Sequence, residues 1–290
     1  WRIEKMGRVP KASTITNHNS ALNKIFEEAM LHGFMTKANV PMLINRGLKS
    51  ERRSDFTLEE YRYLVSFMRD WVNEVEMKRS KSIAMRQLLR DYVLILANTG
   101  MRHGTESYGI KWKHLSWHMD GDRRVLMISV NGKTKQRELA ARDNCTAYFK
   151  RIHDRADDLQ EFTFEELIDK GIDKYVFRLG DGTRTKNLAQ TFEILMKDSE
   201  LLLDRRTNSN RTLYSLRHTY ATFALLYEKL DLFDLEKQMG TSAEMIRKHY
   251  AHITTRMIAG RLAGTDYEKI KREREEGIKL LNEAEAEDKN

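Results

Sequence analysis

Apolar residues recur at helical spacing along most of this chain, and the places where the spacing breaks divide it into elements. Over 16–33, Leu22, Ile25, Phe26, Ala29 and Met30 line one face of a predicted amphipathic helix. Residues 45–56 are polar and basic and read as a linker. Thr57, Leu58, Glu59 and Glu60 form a capping-box pattern that opens the next helix, with Tyr61, Leu64, Val65, Met68 and Val72 as its buried stripe. Basic residues gather over 78–90, and an apolar helix, YVLILANTG, follows and ends at Gly100.

The period then changes. Residues 123–130 (RRVLMISV) read as a strand, Asn131 and Gly132 as a hairpin turn, and 134–140 as the returning strand. Further helices are predicted at about 143–159, 162–170, 185–203, 213–228, 232–239 and 242–252, with a polar loop over 204–212. Thr241, Ser242, Ala243 and Glu244 look like a second capping box, opening a short helix that carries Tyr250 near its end. The charged tail from 266 is predicted to be helical. Tyr267, Ile270, Arg274, Ile278 and Leu281 share one face of it, a stripe suited to docking on a neighbouring protomer or back on its own chain. The fold class expected is mainly α with a small antiparallel β-sheet.

Composition narrows the class. At 290 residues the chain has room for a substantial core, and 40% of it is hydrophobic. A net charge of +8 and a pI near 9.4 favour a polyanionic partner. A single cysteine, Cys145, rules out an intrachain disulfide and a cysteine-based zinc site. No apolar run approaches the roughly 18 residues of a membrane span and no signal peptide is evident, so a cytoplasmic protein with no membrane partner is expected. The start at Trp1 rather than Met reads as a fragment lacking part of its N-terminus.

Four residues carry the candidate chemistry. Arg102, in TGMRHGTE, follows a helix and a Thr-Gly break, where a guanidinium can grip two phosphate oxygens; taken alone, an ordinary surface arginine is the commoner explanation. Arg217, in YSLRHTYAT, lies beside an apolar stripe of Leu213, Leu216, Tyr220, Phe223 and Ala224, and needs an anionic partner there, a phosphate or a buried salt bridge. Tyr214 shares its face and His218 is adjacent. Tyr250, in KHYAH, is either a core aromatic or a phenol whose ionisation nearby arginines favour. Lys133 follows the hairpin turn, where a lysine with lowered pKa can donate a proton; Lys135 is its rival.

The order TGMR, strand–turn–Lys–strand, SLRHTYA, MGTS, HYAH over residues 56–255 resembles the tyrosine recombinases, or phage integrases. The resemblance implies a catalytic-domain-like fold over 51–265, preceded over 1–50 by part of a helical core-binding domain and linker, with 266–290 as a C-terminal tail. It carries over Arg102 as first arginine, Lys133 as general acid, Arg217 as second arginine and Tyr250 as nucleophile, with His218, and less directly His249 or His252, supporting proton transfer. Tyr214 and Thr241 stand where the family usually has histidines, and each brings a hydroxyl that can donate to a phosphate oxygen. Glu106 lies four residues after Arg102 where many members place an acidic residue at three, which reads as a one-residue insertion.

The implied function is site-specific recombination of double-stranded DNA through a 3′-phosphotyrosine, with no metal, ATP or other cofactor. The implied assembly is a homotetramer on two DNA sites, with accessory DNA-bending proteins as further partners, in the cytoplasm of a bacterium or phage host, at the nucleoid. Two alternatives stay open: a type IB topoisomerase-like relaxing enzyme, and a catalytically impaired DNA-binding protein of the same fold.

Overall fold

The computed structural model describes residues 4, 5, 7–48, 53–74, 80–104, 106–132, 136–185, 187–228, 230–250, 258, 259 and 263. Two compact units divide the chain, one of Trp1–Ser54 with Arg205–Ser209, the other of Asp55–Asp204 with Asn210–Asn290.

The first unit is built on α1 (Ala12–Leu31). Its helical spacing is as the sequence predicts, but the burial is thinner. Among its described residues Ile15 is the buried apolar side chain; Leu22, Phe26, Ala29 and Met30 are half-buried, and Ile25, placed on the inward stripe by periodicity, is exposed. The segment after the helix returns along its start. Leu48 exchanges backbone bonds with Pro10 and Ala12, and the Asn45 amide donates to Ala12 O and Thr16 Oγ1. Gly47 is required by this approach, because a Cβ there would come within 2.6 Å of Ala12 backbone atoms.

The second unit holds a dense core and all the candidate chemistry. Asp55 and Phe56, read as linker, belong to it: Phe56 is fully buried and its amide donates to Thr219 Oγ1. Helix α2 (Leu58–Trp71) opens on the predicted capping box, Thr57 accepting from the Glu60 amide and Glu60 from the Thr57 amide. Leu64, Met68, Trp71 and Val72 are buried along it. Helix α3 (Ser80–Thr99) is central, with residues 91–99 buried on every side. It stops at Gly100, whose φ of +67° an L side chain rarely adopts. A Cβ at Gly100 would also meet the Tyr220 ring at 2.5 Å.

A three-stranded antiparallel sheet follows: β1 (Leu115–Asp120), β2 (Arg123–Asn131) and β3 (Gln136–Ala140), in that order. Strand β1 escapes the sequence reading because its pattern, LSWHMD, alternates weakly and buries little beyond Leu115. The β2–β3 ladder ends at Asn131 paired with Gln136, so Asn131 closes the ladder instead of forming the turn. Lys133 and Lys135 lie outside the described residues.

Helices α4 (Cys145–Asp154), α5 (Phe164–Asp169) and α6 (Leu188–Asp198) pack the other side of the core. Helix α7 (Leu213–Leu226) is buried almost all round rather than along one stripe; only Tyr214 and Leu226 are partly open. Buried Arg211 fixes its start, donating to Asp55 O, Leu201 O and the Glu60 carboxylate. Helices α8 (Leu232–Met239) and α9 (Ala243–Tyr250) complete the unit and share a small core with α7 through Tyr220, Ala224, Leu235, Met239, Ile246 and Tyr250. The predicted docking stripe of the tail lies outside the described residues. Among the described residues no helix is long and apolar enough to cross a membrane.

Candidate active site

Arg102 sits two residues past the glycine that ends α3, in a loop folded by a small polar network. Tyr92 on α3 places its hydroxyl 2.5 Å from Ser107 Oγ and 2.8 Å from His103 Nδ1, and Ser107 Oγ also accepts from the Gly104 amide. This closes the loop on itself and turns Glu106 back toward Arg102. The Glu106 side chain is fully buried, and its four hydrogen bonds use its full acceptor capacity. Oε1 accepts from Arg102 Nη1 at 2.5 Å and Arg137 Nη1 at 2.5 Å. Oε2 accepts from the Arg102 amide at 2.8 Å and Arg137 Nη2 at 2.9 Å. Burial pushes this carboxyl up, but the bonds and charges of Arg137 and Arg102 outweigh it and hold it below the ordinary carboxylate value. The four-residue spacing is thus accommodated, and Glu106 is the hub of the site.

Arg137 is the residue that sequence reading missed. It lies on β3 with Leu139 two positions on, and Leu139 is fully core. A cation in the inward register of a strand needs an anion. That signal is legible in QRELA, but only once the register is known.

Arg217, on α7, is 3% exposed. The expected anionic side-chain partner is replaced by backbone: its guanidinium donates to Gly100 O and, at 2.5 Å, to Met239 O. Burial, then the charge of Arg102, push it down to about 10, with Tyr214 and Glu106 opposing and Arg137 adding to the push. It therefore stays cationic at neutral pH.

The three guanidiniums converge on one helix end. Arg137 Nε donates to Gln238 O at 3.4 Å, Arg217 to Met239 O, and Arg102 Nη2 to Gly240 O at 2.6 Å. These are consecutive carbonyls at the C-terminus of α8, the end whose partial negative charge favours cations. Gly240 makes the convergence possible. It caps α8 at φ +56°, and a Cβ there would meet Arg137 Cδ at 2.7 Å. Three guanidiniums against one carboxylate leave a surplus of positive charge at this spot.

Helix α9 starts directly after this turn. Its cap is Ser242, whose hydroxyl accepts from the Met245 amide at 3.4 Å, not Thr241 as the capping-box reading had it; the box requires an acid at the third helical position, and Met245 is there. Thr241 is half-buried beside Gly240. At the far end of α9, Tyr250 is 7% exposed, with its hydroxyl 2.9 Å from His218 Nδ1. His218 follows Arg217 on α7, and its ring lies 5.3 Å from that of Tyr214. The predicted residues Arg102, Arg217, Tyr214, His218 and Tyr250 therefore form one connected set. Lys133, the His249 side chain and His252 lie outside the described residues. Among the described residues no group of three His, Cys, Asp or Glu side chains is arranged to hold a metal ion.

No protein-family model and no curated protein matches the chain. Solved structures do. The chain is similar to the Tn1549 transposon integrase in complex with transposon right end DNA, at 21% identity and TM-score 0.63 over 91% of this chain and 83% of that one. It is similar to the same integrase in complex with circular intermediate DNA, at 20% identity and TM-score 0.61 over 90% and 81%. It is also similar to the XerH site-specific recombinase bound to palindromic difH substrate, at 19% identity and TM-score 0.52, covering 78% of this chain and 57% of that one. At these identities the likeness is one of fold, and the chain has the fold of the tyrosine recombinases.

Proposed function

We propose that the protein is an integrase-like, site-specific DNA recombinase that cleaves and rejoins duplex DNA through a 3′-phosphotyrosine. The observation that carries the reading is the hydrogen bond between Tyr250 and His218 Nδ1, one residue along α7 from the buried Arg217. With His218 protonated on Nε2, Nδ1 accepts the phenol proton as Tyr250 Oη attacks phosphorus. The P–O5′ bond breaks, and the leaving oxygen takes a proton from Lys133. Arg102 and Arg217 stabilise the charge that builds on the non-bridging oxygens.

The tyrosyl phosphodiester keeps the bond energy, so a 5′ hydroxyl from a second strand reverses the step without ATP. No metal is called for, because the guanidiniums supply the positive charge. Exchange needs two cleaved sites held together, so a homotetramer on two duplexes is the assembly proposed, with DNA-bending proteins as accessory partners.

A nicked duplex tests the reading. Cleavage beside a nick releases a short 5′-hydroxyl fragment and strands the enzyme on the 3′ phosphate. A covalent adduct that survives denaturant, together with recombination of paired sites, is expected. Adduct without recombination would indicate a relaxing enzyme, and binding without adduct a DNA-binding protein.

A further inference from the structure

Arg137 differs from the other two arginines at the α8 terminus because it arrives from the sheet. Its strand is clamped to that terminus by a second device. The Gln238 side-chain amide pairs with the open edge of β3 like a short strand: Nε2 donates to Ala140 O at 2.8 Å and Oε1 accepts from the Ala140 amide at 3.0 Å. The same Nε2 donates to Thr99 O at 3.0 Å, at the end of α3. One amide thus joins β3, α3 and α8, and Arg137 Nε donates to the backbone carbonyl of that same Gln238.

From this platform the Arg137 fork grips both oxygens of Glu106. It supplies two of the four bonds that fix the carboxylate; Arg102 supplies the other two. Without Arg137 the carboxylate keeps only partners on the residue it is meant to hold. Arg137 is 13% exposed in its side chain and its fork is spent on Glu106, so it acts through Glu106 and not by touching DNA.

We propose that Arg137 is a positioning residue for strand cleavage, locking Glu106 so that Arg102 is held in register with Arg217, and thereby coupling the setting of the β2–β3 hairpin to the alignment of the phosphate-binding arginines. The proposal rests on the reading of Arg102, Arg217 and Tyr250 as the cleavage site, and its test keeps the two apart.

Two measurements on the full chain suffice. The first is the Glu106 carboxyl titration, followed by carbon NMR of glutamate-labelled protein and assigned with Glu106→Gln. The charged groups facing Glu106 are Arg102 and Arg137, with Arg217 beyond them. Removing Arg137 removes the largest influence holding that carboxyl down, so Arg137→Gln moves the midpoint upward and Arg137→Lys moves it less. The second is single-turnover cleavage of the nicked duplex, with DNA affinity measured alongside.

Arg137→Gln is expected to slow cleavage about 100-fold while affinity changes by less than about threefold. Its rate should acquire an acid limb at the new Glu106 midpoint, and Arg137→Lys should recover part of the rate, since it keeps the charge but not the fork. An unmoved Glu106 midpoint, or cleavage by Arg137→Gln within about threefold of wild type, overturns the proposal. If the Gln variant does not fold, the Lys variant carries both readouts. If wild type forms no adduct while the midpoint still moves, the cleavage reading fails and the Arg137–Glu106–Arg102 lock stands.

Discussion

Two buried carboxylates in this protein are each gripped by arginines, which reach them from different parts of the fold. Asp91, on α3, has a fully buried side chain; it accepts from Arg151 Nε at 2.8 Å and Arg155 Nη2 at 2.5 Å, with Arg90 at 3.6 Å. Glu106 is equally buried and accepts from Arg102 and Arg137. Composition alone does not separate the two clusters. The Asp91 arginines come from α3 and from the helix packed beside it and its end, so their bonds tie two helices together. The Glu106 arginines come from a loop and a strand, meet a third from α7, and lean on three carbonyls at one helix end beside the tyrosine's own helix. Both clusters set three arginines around one carboxylate, so the difference lies in where the cations converge: on one helix terminus at Glu106, and between two packed helices at Asp91.

The largest effect expected is at the proposed cleavage centre. Arg217→Ala should reduce single-turnover cleavage by about a thousandfold, the loss of a preorganised charge. Retention of more than a tenth of the rate would remove Arg217 from the site. Next comes the proposed general acid. Lys133→Ala should lose on the order of a hundredfold or more on ordinary DNA and regain it with a 5′-sulfur leaving group, which needs no proton. Rescue of Lys135→Ala instead would move the role to Lys135.

The clusters themselves are compared by neutralising each acid. Asp91→Asn leaves its arginines without an anion and should destabilise the fold by about 3–5 kcal/mol, with cleavage by the folded fraction near wild type. Glu106→Gln should destabilise the fold as well, but should also slow cleavage by the folded fraction at least about tenfold. The opposite pattern would erase the distinction drawn between them.

What was legible in the sequence follows the same division. The helices were readable because apolar spacing and caps are local, as at Thr57–Glu60, and so were Arg102, Arg217 and Tyr250, because each sits in a distinctive run. Arg137 and the α8 carbonyls were not, since strand register and the meeting of residues 102, 137, 217 and 238–240 are properties of the folded chain. Strand β1 was missed because LSWHMD has little alternation to read. Thr241 and Ser242 stand side by side and either fits a cap, and only the start of α9 at Ala243 selects Ser242.

Smaller effects sharpen the picture. Tyr214→Phe and Thr241→Val should each slow cleavage about tenfold, roughly 1.4 kcal/mol of transition-state stabilisation, with little change in DNA affinity. Because Ser242 holds the cap, Thr241→Val should leave the melting temperature nearly unchanged; a clear drop would return Thr241 to a structural role. The smallest effect is in acid. Glu106 titrates below its ordinary value of 4.5 when folded, so its contribution to stability is present above that value and is lost as pH falls toward the folded midpoint. The stability gap between wild type and Glu106→Gln should therefore narrow on going from pH 6 to pH 3, and a constant gap would show that the carboxylate is not specifically stabilised.

The most direct test is to identify the residue that carries the DNA. The adduct trapped on a nicked duplex can be digested with nuclease and protease and the nucleotide-bearing peptide sequenced by mass spectrometry. The arrangement of His218 and Tyr250 predicts a 3′-linked nucleotide on Tyr250 and none in Tyr250→Phe. A label on Tyr267, on any other residue, or an adduct of undiminished yield in Tyr250→Phe would contradict it.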